Sequence, residues 1–303
     1  MKKKLILLAI SVSLLAACTT SKKADYPANT VKYPVTMSTK FSGQVRIDKE
    51  PQRIISLSPT ATEALFAVGA GDQVIAVDDQ SNYPDDAPKS DLSGYTPNVE
   101  AILAKKPDLV IVSNDINNIV ASLRAAKVPV LIEPAAKTLD DAYFQILEIG
   151  IATAHDGDST GLVNQMKQDI TDAQAKISSS EKKLSFYHEL DNTYYSVTSD
   201  TFLGALYKMA GLKNIADAAP GADSGYPQLS AEYIVKANPD FIFLADTKCC
   251  SVTAASLKDR PGFAALDAVK NGKVIELDDD VASRWGPRTV ELFKQIVDAV
   301  TAK

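Results

Sequence analysis

Few residues in this sequence are of a type that makes or breaks covalent bonds. It holds two histidines and three cysteines among 303 residues. His155 sits in a polar stretch beside Asp156, and His188 lies in a strand-like run, so neither has company that would make it a base or a metal ligand. A closed site for a free metal ion needs several histidines and carboxylates together. The sequence has no Gly-x-Ser-x-Gly elbow, no His-Glu-x-x-His and no glycine loop of the phosphate-cradling kind. Ser58 precedes a helical stretch, but Pro59 follows it and removes the amide an oxyanion hole would use. These features count against an extracellular hydrolase, and no cofactor is expected. What remains is chemistry suited to binding: Ser58, Thr60, Asp79, Tyr95 and Asn114 in the first half, and Thr198, Tyr226, Asp246, Arg284 and Trp285 in the second. They fall in loops after expected strands, where α/β sheets present their ligands. The only tryptophan, Trp285, adjoins Arg284. An aromatic face beside a guanidinium suits a flat or bulky ligand with anionic groups, although such a tryptophan serves equally to dock the final helix on its sheet.

The cysteines divide by place. Lys2, Lys3 and Lys4, then an apolar run over 5–15, then Ala16-Ala17-Cys18 give the order of a secretory signal. The run is too short to span a bilayer, which takes ~20 residues. Leu15-Ala16-Ala17-Cys18 resembles a bacterial lipobox, which makes Cys18 the lipidated first residue of an extracytoplasmic protein held at the membrane. The polar stretch that follows is too poor in apolar residues to fold by itself, and a tether is expected to residue 45. Cys249 and Cys250 are adjacent. Neighbouring cysteines close only a small strained ring, so the expectation is two reduced loop residues, at least one of them buried.

Charge narrows the partners. The formal net charge is −6, and loss of the three signal lysines leaves −9. An acidic mature chain without a basic stripe is unsuited to nucleic acid and to a polybasic grip on anionic lipid.

The elements that must position these residues alternate. Strands are expected at 54–58, 74–77, 108–112 and 128–132, with helices at 61–68, 99–105 and 120–126 between them. Thr60 and Glu63 read as a capping box. The pattern recurs with strands at 185–189, 194–197, 241–244 and 274–277 and helices at 202–210, 231–236 and 289–301. Continuous apolar runs alternating with helices mean parallel sheets covered on both faces. Between the halves, 140–153 and 159–177 carry helical periodicity. The fold class is therefore α/β: two lobes with mainly parallel sheets joined by one long helix, with a ligand cleft between them. The partition is 1–17 signal, 18–45 anchor and tether, 46–139 first lobe, 140–180 helical spine and 181–303 second lobe. One echo supports two related lobes: 99–112 aligns without gaps to 231–244, with Glu, Ile, Pro and Asp coinciding.

The ordered set Arg53–Glu63, Asn82-Tyr83-Pro84, the two Glu-x-Ile…Pro-Asp segments and Trp285-Gly286-Pro287-Arg288 resembles the substrate-binding proteins of ABC importers for iron-siderophores, haem and cobalamin. The resemblance runs from Pro51 to the C-terminus. It implies a monomer that captures a small chelate or corrinoid and delivers it to a permease dimer driven by ATPase subunits. It assigns Glu100 and Glu232 to docking on permease arginines, where two separated carboxylates would fix orientation on a two-fold partner; the alternative is a pair of solvated first-turn glutamates. It places aromatics near Tyr95 and Tyr226, either of which could also ligate haem iron as tyrosinate. Tyrosines stand where a cobalamin binder would often carry tryptophans. Tyr83 and Arg288 read as structural.

Overall fold

In the computed structural model, which describes residues 26–178 and 184–302, a hairpin comes first: β1 (Val35–Thr39) antiparallel to β2 (Gly43–Ile47). The first lobe follows as β3 (Ile54–Leu57), α1 (Pro59–Ala67), β4 (Val74–Asp78), β5 (Lys89–Leu92), α2 (Val99–Ala104), β6 (Leu109–Val112), α3 (Ile119–Ala125) and β7 (Val130–Ile132). Two helices, α4 (Leu139–Ala152) and α5 (Asp156–Gln174), lead onward. The second lobe is β8 (Ser185–Glu189), α6 (Phe202–Met209), β9 (Lys213–Asn214), α7 (Ala231–Ala237), β10 (Phe241–Leu244), α8 (Asp267–Lys270), β11 (Val274–Glu276), α9 (Asp279–Ala282) and α10 (Thr289–Thr301).

Both large sheets are parallel, in the orders β5-β4-β3-β6-β7 and β11-β10-β8-β9. Matching β3, β4, β6 and β7 to β8, β9, β10 and β11 makes the two orders identical, with β5 added at one edge. The Pro-Asp echo has the same job in each. Asp108 accepts the Gln52 and Arg53 N–H groups at 3.0 and 2.8 Å, pinning the start of β3. Asp240 accepts the N–H and hydroxyl of Ser185 at 2.8 and 2.9 Å, pinning the start of β8.

The central strands β3, β6 and β10 are buried at every position because both of their faces are covered. Leu109 and Ile111 enter a core shared by the two lobes, while Val110 and Val112 enter a separate core under α2 and α3. Phe241 and Phe243 likewise face the shared core, and Ile242 and Leu244 an outer one. This is period-two alternation with no solvent face. The shared core includes Val163, Met166, Ile170 and Ala173 of α5, together with Phe293 and Ile296 of α10. A helix of 19 residues packed into a core common to both lobes is a stiff spine.

Two expectations change. The chain orders well before residue 46: Met37, Val45 and Ile47 of the hairpin are buried in the shared core. Upstream, Asn29 accepts the Gly157 N–H at 2.8 Å, and Asp156 accepts from the Thr30 hydroxyl at 2.7 Å. Gly157 allows this approach, since a Cβ there would lie 2.0 Å from the Pro27 carbonyl oxygen. Residues 26–33 are thus strapped to the N-terminus of α5, and any free tether is shorter than expected. The strand expected at 194–197 is also not formed; Tyr195 makes a single antiparallel bridge to Gln228. That segment bonds mainly to the 225–229 loop, with one bond from the Leu190 N–H to the Tyr195 carbonyl, and joins no sheet. The expected signal segment and Cys18 lie outside the described residues.

Candidate ligand cleft

Loops at the carboxyl ends of β3, β4, β5 and β6 meet the α9–α10 connection around a cleft of about 230 Å³. Ser58, Thr60, Tyr95, Arg284 and Trp285 all line it, as five of the residues expected there. Ser58 is the N-cap of α1, its hydroxyl accepting from the Ala61 N–H at 3.4 Å. Tyr95 is 72% exposed at the mouth. Gly94 beside it must be glycine, because a Cβ would stand 2.7 Å from the Leu57 carbonyl oxygen. Trp285 is half-buried, and its indole N–H donates to the Gln145 amide oxygen at 3.0 Å. Trp285 thus bonds α4 through its indole N–H while it also lines the cleft.

The cleft also uses residues the sequence did not single out: Asp78, Gln80, Ser113, Asp280 and Ser283. Asp79 and Asn114 are exposed and do not line it; Asp78 and Gln80, on either side of Asp79, do, and so does Ser113 before Asn114. A one-residue slip exchanges the two sides of an extended chain. Burial raises the Asp78 carboxyl above its ordinary range, against the bond from the Ser81 hydroxyl and with a further push from Asp79.

The capping box assigned to Thr60 and Glu63 is not what forms. Ser58 caps the helix, and Glu63, only 2% exposed, faces two guanidinium groups. Arg284 Nη1 lies 2.6 Å from Glu63 Oε1, and Arg288 Nε lies 2.9 Å from Glu63 Oε2. Arg284 Nη2 also donates to Asp280 at 2.9 Å and to the Asn82 amide oxygen at 2.8 Å. Arg284 is therefore committed within the protein, a correction to its expected role as a free partner for an anionic ligand. Arg288 stacks its guanidinium 4.1 Å above the Tyr83 ring, which fits a structural reading of that pair. The network crosses from α1 of the first lobe to the loop before α10.

Thr198, Tyr226 and Asp246 do not line this cleft. Thr198 is buried, and Tyr226 is half-exposed elsewhere on the second lobe. Asp246 is fully buried beside Glu189, whose carboxylate is held bidentately by Arg260 at 2.7 Å on each oxygen. Burial, then the Glu189 charge, push the Asp246 carboxyl up to about 8. It is a core group beyond a ligand's reach. Cys249 and Cys250 are joined in a vicinal disulfide rather than reduced. The ring is accommodated in a loop whose Lys248 and Cys249 N–H groups both bond the Asp279 carboxylate at 2.9 Å.

His188 is fully buried, its Nδ1 at 2.8 Å from the Tyr207 hydroxyl, and burial lowers its pKa to about 3. Among the described residues no group of three or more His, Cys, Asp or Glu is arranged to hold a metal ion.

Glu100 and Glu232 occupy matching, exposed places. Asn98 caps α2 by accepting from Ala101 at 3.0 Å, and Ser230 caps α7 by accepting from Tyr233 at 3.1 Å. Each helix leads into the amino end of the next strand, so both first turns stand at the carboxyl edge, on the side of the cleft. The Glu232 carboxyl is held below its usual range by its own backbone N–H and by Ser230.

A pair of like parallel α/β lobes around a stiff spine, with a hydroxyl- and aromatic-lined cleft, defines a binding protein. Residues 54–281 match the periplasmic binding protein family, and the chain belongs to it. It is 31% identical to an uncharacterized ABC transporter substrate-binding lipoprotein of Bacillus subtilis, over 97% of this chain and 95% of the relative. A cobalamin-binding protein of Halobacterium salinarum is 29% identical over 88% of this chain and 74% of its own length. The crystal structure of the vitamin B12-binding protein of Vibrio cholerae superposes with a TM-score of 0.68 at 26% identity, covering 82% of this chain and 96% of that one. Capture of a small ligand for an ABC importer is the function this family membership gives the chain.

Proposed function

We propose that the ligand is a corrinoid-type molecule, bulky and edged with amides, captured outside the membrane and passed to an ABC permease. The observation that carries this is the lining: hydroxyls of Ser58, Thr60, Ser113 and Ser283, the Gln80 amide, the Tyr95 ring and the Trp285 indole. Hydroxyl and amide groups pair well with peripheral amides, and the two aromatic rings offer flat apolar area. A volume of about 230 Å³ admits an edge of a macrocycle, with Tyr95 against the part outside. The names of the Halobacterium and Vibrio relatives agree with this reading.

Delivery rests on Glu100 and Glu232, exposed at equivalent positions on the cleft side of both lobes. Charge-assisted contacts from two such carboxylates fix register on a two-fold partner. Lipidated Cys18 would hold the protein at the outer face, as in the Bacillus relative named a lipoprotein. The test is a Glu100→Arg, Glu232→Arg double variant in cells that depend on this protein for corrinoid uptake. Ligand affinity should stay within about two-fold of wild type while uptake is lost. Undiminished uptake would remove the docking assignment.

A further inference from the structure

We propose that Glu63 is a charge mask: by neutralising Arg284 at the cleft wall it sets the preference of this site for uncharged over anionic ligands. The inference rests on the reading of this cleft as the ligand site and names the charge class that the site accepts.

The charged residues lining the cleft are Asp78, Asp280 and Arg284. Arg284 alone is a cation, and it is 7% exposed with its guanidinium shared between Glu63, Asp280 and Asn82. The network extends further. Glu63 also takes Arg288, and Lys248 bonds Asp278 and Asp280 at 2.8 Å each. Three acids, Glu63, Asp278 and Asp280, thus face three bases, Arg284, Arg288 and Lys248. A balanced network leaves no uncommitted positive charge for a ligand carboxylate, whose hydration would be lost on entry without replacement. A ligand edged with amides loses nothing comparable. Glu63 touches no ligand in this arrangement. It acts through Arg284, from inside α1, and is a positioning and specificity residue.

Removing its charge should expose the guanidinium electrostatically without moving it. In Glu63→Gln the amide oxygen can still accept a hydrogen bond, Asp280 and Asn82 still hold Arg284, and the network carries one net positive charge.

The experiment uses two ligands of one shape: cyanocobalamin and its monocarboxylic acid, in which one peripheral amide is hydrolysed. Their dissociation constants are measured by titration calorimetry at pH 7.5 with full-length protein in detergent. Wild type should bind the acid at least about ten-fold more weakly than the amide. Glu63→Gln should shrink that ratio about ten-fold, which is the effect of 1.4 kcal/mol. A Glu63→Gln, Arg284→Gln double variant, again balanced, should restore discrimination. An unchanged ratio in folded Glu63→Gln overturns the mask. Should that variant fail to fold, Asp280→Asn unbalances the network from its part-buried end and must move the ratio the same way; no movement overturns the proposal. If wild type does not bind cyanocobalamin, the corrinoid reading falls by itself, and the mask is read from haem against its dimethyl ester. A wild type that binds neither pair overturns mask and cleft together.

Discussion

Glu133, just past β7, and Glu148, on α4, are 2% and 3% exposed. Their carboxyls face each other beneath Trp285 and the hairpin, and the Lys40 N–H donates to Glu148 Oε1 at 3.0 Å. Loss of water raises both: Glu133 well above its ordinary value, with the Glu148 charge adding to the push, and Glu148 to about 7. In the unfolded chain both ionise near 4.5. From there upward the native state keeps protons that the unfolded state has released, so stability falls as pH rises. The loss begins near pH 4.5, passes through pH 7 for Glu148, and continues above it for Glu133. At 1.36 kcal/mol per pKa unit, Glu148 alone accounts for about 3 kcal/mol as an upper bound. Glu133→Gln replaces one acid with an amide that can donate to an ionised Glu148. The variant should match wild type at pH 5 and exceed it by about 2 kcal/mol at pH 8.5, or ~3–4 °C in Tm for a chain of this size. Thermal melts followed by circular dichroism from pH 5 to 9 read this directly. Parallel Tm curves, or a Tm loss at pH 8.5, would refute the buried-pair argument.

Other consequences follow from single contacts. Trp285→Phe removes the bond to Gln145 and the indole face of the cleft, and should weaken ligand binding about ten-fold by calorimetry while costing about 1 kcal/mol of stability. Asp156→Ala deletes the acceptor for Thr30 and Val31 and an anion at the first turn of α5; about 1–3 kcal/mol should be lost in denaturant melts, and limited proteolysis should then clip within 26–33. Asp108→Ala and Asp240→Ala each free donors at a strand start, so each should cost about 1–2 kcal/mol, with the two effects adding because the sites are in different lobes.

Most of the scaffold was legible because its strands are buried on both faces and read as unbroken apolar runs. The echo of 99–112 in 231–244 pointed to duplication, and the strand orders bear it out. Local patterns failed where a distant segment decides. Nothing near Glu63 in sequence announces Arg284 and Arg288, more than two hundred residues away, so a capping role was the natural local reading. The alternation over 194–197 suits a strand, yet its partner is a loop. At the cleft, side-chain parity puts Asp78 and Ser113 on the wall rather than the expected Asp79 and Asn114. The second lobe's Thr198 and Asp246 were misplaced because position after a strand says nothing of burial.

The central claim is that the cleft of Ser58, Thr60, Tyr95 and Trp285 takes a corrinoid. The most direct measurement is an equilibrium titration of the full-length protein with cyanocobalamin, read through Trp285, the chain's sole tryptophan, with haem and a ferric siderophore as competitors. The prediction is saturable one-site binding of cyanocobalamin that neither competitor displaces at equal concentration. A cleft silent to cyanocobalamin, but saturated by haem or the ferric siderophore, would contradict it.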